Sequence, residues 1–124
     1  MSVLTAPEVR TFARSEVNGI DIDWGENTAG SETGTLKAGD TVSSCVVAVE
    51  SKPSGAADPT FGSVSANGSD LVVNDRTCSA GEATSVQVTM ASDQAYGEYK
   101  LKFTATTANG YTIPRWVRCK VEPC

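Results

Sequence analysis

Apolar and polar residues alternate with a period of two along much of this 124-residue chain, the spacing that places neighbouring side chains on opposite faces of a strand. From Gly19 onward, Ile20, Ile22 and Trp24 share one face, with Asp21 and Asp23 opposite. Thr41–Glu50 predicts a longer strand with Cys45, Val47 and Val49 on one side. Val42 joins that side only if a bulge lies near Ser43-Ser44. Val86, Val88 and Met90 alternate with Ser85, Gln87 and Thr89. Tyr99, Leu101, Phe103 and Ala105 alternate with Lys100, Lys102 and Thr104. Asn109-Gly110 follows as a hairpin signal, because both residues tolerate positive φ. Tyr111, Ile113, Val117, Cys119 and Val121 then return toward a core, with Arg115 the exception on that face. Pro114 has no N–H to give a ladder, so its strand is expected at an edge or bulged there.

The intervening segments are weaker. Residues 1–18 are polar and mixed and read as an N-terminal arm or lead-in strand ahead of a domain over 19–124. Residues 25–35 and 51–59 are Gly-, Ser- and Pro-containing loops. Phe61 and Val64 suggest a short strand, Asn67-Gly68 a turn, and Leu71-Val72-Val73 another short strand, ending in a polar stretch, Asn74–Glu82, that carries Cys78. About seven short strands with turn signals between them predict an all-β chain, an immunoglobulin-like antiparallel β-sandwich.

Composition agrees. Fourteen Val and fourteen Thr stand against four Leu, and β-branched side chains suit a pleated surface better than a helix. Zero His removes the usual general base near neutral pH and the commonest metal ligand. A formal charge of −5 without a basic stripe argues against nucleic acid as a partner. No stretch reaches the roughly 18 apolar residues of a membrane helix. The start, Met1-Ser2-Val3-Leu4, lacks the basic and apolar regions of a secretion signal. Synthesis in a cytoplasm is the expectation, and four cysteines sit oddly with it.

The order of motifs from Asp21 resembles small immunoglobulin-like virion structural proteins of tailed bacteriophages, of the fibre–tail adaptor and decoration kind. The matching residues are Asp21-Ile22-Asp23-Trp24, then Leu36–Val49 with its Gly39-Asp40-Thr41, then Leu71-Val72-Val73, and Gly97–Thr107 followed by Asn109-Gly110, with Arg115 and Val121 in the returning strand. They cover about residues 19–122. The four cysteines and the insertions at 25–35 and 51–60 depart from that pattern. The resemblance implies a scaffold in the virion, made in the host cytoplasm and present in multiple copies. Portal or neck, fibre or capsid subunits would be its partners, and it brings no catalytic residues.

The remaining chemistry is sparse. Cys45, Cys78, Cys119 and Cys124 have no C-x2-C pairing and no His beside them, so no structural zinc site is expected. Cys45 and Cys119 fall on core-facing positions, whereas Cys78 and Cys124 are expected at the surface. Intrachain pairing allows three connectivities, and a terminal Cys124 is placed to reach another subunit. Thiols kept reduced during assembly and oxidised after lysis would reconcile the cysteines with a cytoplasmic origin. Asp21 and Asp23 alternate outward from a strand and Asp40, Asp70 and Asp75 sit near turns; none has calcium-loop spacing, and the turn residues are expected to cap their own backbone. No nucleophile elbow or phosphate loop occurs, so no enzyme and no cofactor is expected. Trp24 and Trp116 are expected to be core or interface anchors rather than sugar-stacking platforms, with Trp116 the better placed for an exposed contact. Trp116, Arg115 and Arg118 are the expected interface residues, being of the types enriched at binding hot spots. Two placements stay open, a tail or neck fibre adaptor and a capsid decoration or cement subunit. The alternative is a secreted bacterial Ig-like adhesion or carbohydrate-binding module.

Overall fold

The structure is a computed structural model and describes residues 8–24, 36, 39–73 and 76–123. Ten strands and no helix are found among them: β1 (Glu8–Phe12), β2 (Val17–Asp23), β3 (Val42–Ser51), β4 (Thr60–Phe61), β5 (Ser65–Ala66), β6 (Leu71–Val73), β7 (Arg76–Cys78), β8 (Ala83–Thr89), β9 (Gly97–Thr107) and β10 (Thr112–Val121). One sheet runs β1-β10-β9-β3, a second β2-β8-β4 with β5 also on β8, and β6 and β7 form a separate hairpin. Every pairing is antiparallel except β1 with β10. The chain is all-β and sandwich-like, because one apolar core draws on both large sheets.

That core follows from the alternation. Tyr99, Leu101, Phe103 and Ala105 on β9 lie wholly buried against Ile20 and Ile22 of β2 and Val86 and Val88 of β8. Trp24, just past β2, is also fully buried and donates its indole N–H to Thr84 Oγ1 at 2.8 Å. The bulge expected near Ser43-Ser44 is present as a register shift between Val42 and Ser44. It brings Val42 and Cys45, three residues apart, to the same buried side. Pro114 pairs with Thr104 at a level that β1 does not reach, since β1 pairs only with Val117–Val121. Among the described residues the missing N–H of Pro114 therefore faces no ladder.

One feature agrees with the lead-in strand rather than the arm, and two others differ from the sequence reading. Residues 8–12 are part of the first sheet, with Phe12 in the core; residues 1–7 of the expected arm lie outside the described residues, as do loop 25–35 and Cys124. In the β9–β10 turn only Gly110 has positive φ, 89°. Thr107 closes that turn, accepting from Gly110 N at 2.9 Å and, through Oγ1, from Tyr111 N at 3.1 Å, so a longer loop replaces the two-residue type. The stretch 74–82, read as polar, contains β7. Cys78, expected at the surface, is fully buried with Val73 and Ala83, and Leu71 packs on them.

Asn67 ties this small cluster to the main body. Its amide Nδ2 donates to the carbonyls of Ser69, Cys78 and Ser79 at 2.9–3.0 Å, and its Oδ1 accepts from Gly81 N and Ala83 N. Gly81 turns the chain there with φ 82°, and Thr41 occupies the space where a Cβ would sit, only 2.6 Å from that position. Side-chain amides with both ends satisfied in this way stand in for a ladder where none can form. Asn67→Ala removes five hydrogen bonds to backbone groups, of which Ser79 O keeps Glu82 N and Gly81 N keeps the Asn67 carbonyl, and is expected to destabilise the fold by about 2–4 kcal/mol. Urea unfolding that shows under 0.5 kcal/mol of loss, on an order-of-magnitude scale, would contradict that role.

Candidate interaction face

The outer side of the first sheet is built by the strand positions that the core does not use. On β9 these are Glu98, Lys100, Lys102 and Thr104; on β10, Trp116, Arg118 and Lys120; on β3, Val46, Ala48 and Glu50. Register sets the neighbours. Trp116 pairs with Lys102, Arg118 with Lys100 and Lys120 with Glu98.

Trp116 organises the middle of this face. Its indole Nε1 donates to Glu50 Oε2 at 2.7 Å, although Glu50 lies on β3 and Trp116 on β10. Strands two apart are separated by about 10 Å, so the indole reaches across β9 to make that bond. Lys100 Nζ and Lys102 Nζ lie 5.8 and 5.7 Å from the ring centroid, within cation–π range. Lys100 also pairs with Glu50 at 3.5 Å and Arg118 with Glu98 at 3.7 Å. The Trp116 hydrogen bond, with smaller help from Lys100 and Lys102, holds the Glu50 carboxyl below its ordinary range. Exposed pairs of this kind add little to stability. Their effect here is to fix the orientation of an aromatic side chain on an open sheet.

Of the three expected interface residues, the structure brings Trp116 and Arg118 together and separates Arg115 from them. Arg115 pairs with Phe103 on the inner side, and its guanidinium stands 5.9 Å from the ring of the buried Trp24. Burial lowers its pKa. Alternation along β10 explains the split, because neighbours in a strand point to opposite faces. The sequence reading missed Glu50, Lys100 and Lys102. Glu50 is 66 residues from Trp116, so only sheet register puts them in contact.

The cysteines are not part of this face. Cys45, Cys78 and Cys119 are buried, and no disulfide joins any two of them. Cys45 pairs with Ala105 and Cys119 with Tyr99. Six residues of β9 separate those levels, about 20 Å, far beyond the roughly 7 Å limit between Cα atoms of a disulfide. Cys78 belongs to the separate cluster around Val73. Burial pushes the Cys119 thiol up to about 11, with the charge of Arg10 opposing, and raises Cys45, with a Thr84 hydrogen bond opposing. Among the described residues, no three His, Cys, Asp or Glu side chains are grouped to hold a metal ion. No family model matches the chain, and no curated protein matches it.

Two outcomes follow from this geometry. Because the folded Cys119 thiol ionises near 11 rather than at its ordinary 9.0, its contribution to stability is complete below pH 9 and is lost as pH rises toward 11. Urea unfolding between those pH values should show falling stability, with a shallower decline in Cys119→Ala; equal slopes would contradict the burial effect. Acrylamide should quench Trp116 and spare Trp24, and Glu50→Ala should increase the quenching of Trp116 while leaving the thermal midpoint nearly unchanged. Unaltered quenching would show that Glu50 does not hold the indole.

Proposed function

We propose that this chain is a non-enzymatic, immunoglobulin-like structural subunit of a bacteriophage virion that works through its outer sheet face. The observation that carries the interaction role is the ordered Trp116 face, where Glu50, Lys100 and Lys102 fix an aromatic residue on a sheet. Trp and Arg are enriched where binding energy concentrates. Orienting such residues in advance lowers the entropy lost on docking.

The fold reading has its own support. The orders β3-β9-β10 and β2-β8-β4 parallel C-F-G and B-E-D in the lettering of immunoglobulin-type sandwiches, which supports the reading. Tyr99 lies near the start of β9, and its hydroxyl donates to the carbonyl of Ala95, four residues upstream, at 2.7 Å. That is the geometry of the tyrosine corner of such domains. Gln94 reinforces it, donating from Nε2 to Tyr99 Oη at 3.2 Å and to Ala57 O at 2.8 Å. Two departures accompany these likenesses. β1 lies beside β10, and Leu101, two residues after Tyr99, stands where antibody domains carry the second cysteine.

The virion placement rests on the motif order from Asp21 to Val121. A secreted adhesion or carbohydrate-binding module is the second reading. It is weakened at Trp116, whose ring already has two lysine ammonium groups near it.

Quantitative mass spectrometry of purified virions that encode the chain is the test. Roughly a dozen copies or fewer per particle would indicate a neck or fibre adaptor, and hundreds a capsid decoration subunit. Absence from washed particles would overturn the virion reading, and glycan binding by the purified chain would favour the second.

A further inference from the structure

The Trp116 face carries charge of the opposite sign to the molecule as a whole. Lys100, Lys102, Arg118 and Lys120 present four cations against the carboxylates of Glu50 and Glu98. The face therefore has two surplus positive charges on a chain of net −5, which leaves the remainder at −7. Ion pairing uses Lys100 and Arg118. Lys102 lies by the ring of Trp116, and Lys120 is exposed on the same face. Arg118 Nε is buried, so only the half-exposed outer end of its guanidinium, beside Glu98, can meet a partner.

From this arrangement we propose that the outer face of β3, β9 and β10 docks an acidic protein surface, with Lys102, Lys120 and Arg118 receiving carboxylates around the Trp116 ring. This rests on the reading of the chain as an interface protein and names the chemistry of the partner. Charge complementarity selects that occupant. Packing of this face on the same face of a second copy would oppose like charges, which argues against a symmetric dimer through it. Four cations on one sheet face are also few for a phosphate backbone, whose binding needs a longer basic track. A carboxylate-bearing partner would be steered to the face from a distance and repelled by the rest of the molecule. Orientation is thereby set before contact.

Poly-L-glutamate is the probe, titrated into the intact chain at about 50 mM salt with Trp116 emission as the signal. Binding is expected, weakening by roughly tenfold or more in the Lys102→Glu/Lys120→Glu double variant and staying within about twofold in Lys52→Glu. Lys52 is a suitable control because it is exposed and paired with Asp58 in the loop after β3. Circular dichroism of each variant confirms that its fold is retained. No binding, or equal losses in the double variant and in Lys52→Glu, would overturn the proposal. Tighter binding of single-stranded oligothymidine than of poly-L-glutamate would overturn it in favour of nucleic acid. These failures leave incorporation into virions untouched. Conversely, absence from virions with face-specific poly-L-glutamate binding would remove the virion role and keep the acidic partner.

Discussion

The register of β9 is the constraint on which both halves of the molecule depend. Its inward residues, Tyr99, Leu101, Phe103 and Ala105, are wholly buried, while Lys100, Lys102 and Thr104 face out. A slip of one residue would drive two ammonium groups into the core and the aromatic rings into water. The strand is pinned at both ends. At its start the Tyr99 hydroxyl is bonded to Ala95 and Gln94. At its end Thr107 and Gly110 close the turn into β10. The same register places Trp116 opposite Lys102 and within reach of Glu50 across the strand. Core and outer face are thus two consequences of one alignment.

Their division of labour explains why the polar groups matter most where the ladder is interrupted. Asn67 and Gln94 supply hydrogen bonds beyond the strand ends, and Thr84, within β8, accepts the indole N–H of Trp24. Each lies outside the Trp116 face. Substitutions on that face leave untouched the side chains that close the core, as the proposed interface role requires. The proposed immunoglobulin-like connectivity has the same consequence, since the outer sides of its sheets are free of structural duty.

Much of this was legible in the sequence because alternation with period two reports directly on a half-buried strand. β2, β3, β8, β9 and β10 all followed from it, as did the bulge in β3. β1 was legible only as the lead-in strand alternative to an arm, because five residues with mixed polarity pair at an edge beside β10, and no local pattern encodes a parallel partner over a hundred residues away. Cys78 was misplaced for a related reason. Its cover comes from Leu71, Val73 and Ala83 across a hairpin rather than from its immediate neighbours. Within the candidate face, Trp116 and Arg118 were visible as residue types; Arg115, which the alternation already put on the core side, was grouped with them by residue type alone. Glu50 had no local signal at all.

If the outer side of β9 and its neighbours is the working surface, as proposed, footprinting of tryptophan in the free chain and in purified virions will show it. N-bromosuccinimide oxidation read by mass spectrometry distinguishes Trp116 from Trp24, which is wholly buried in the free subunit. The account predicts that Trp116 reacts in the free chain and is protected in the assembled particle, with Trp24 unreactive in both. Equal reactivity of Trp116 in the two states would contradict it.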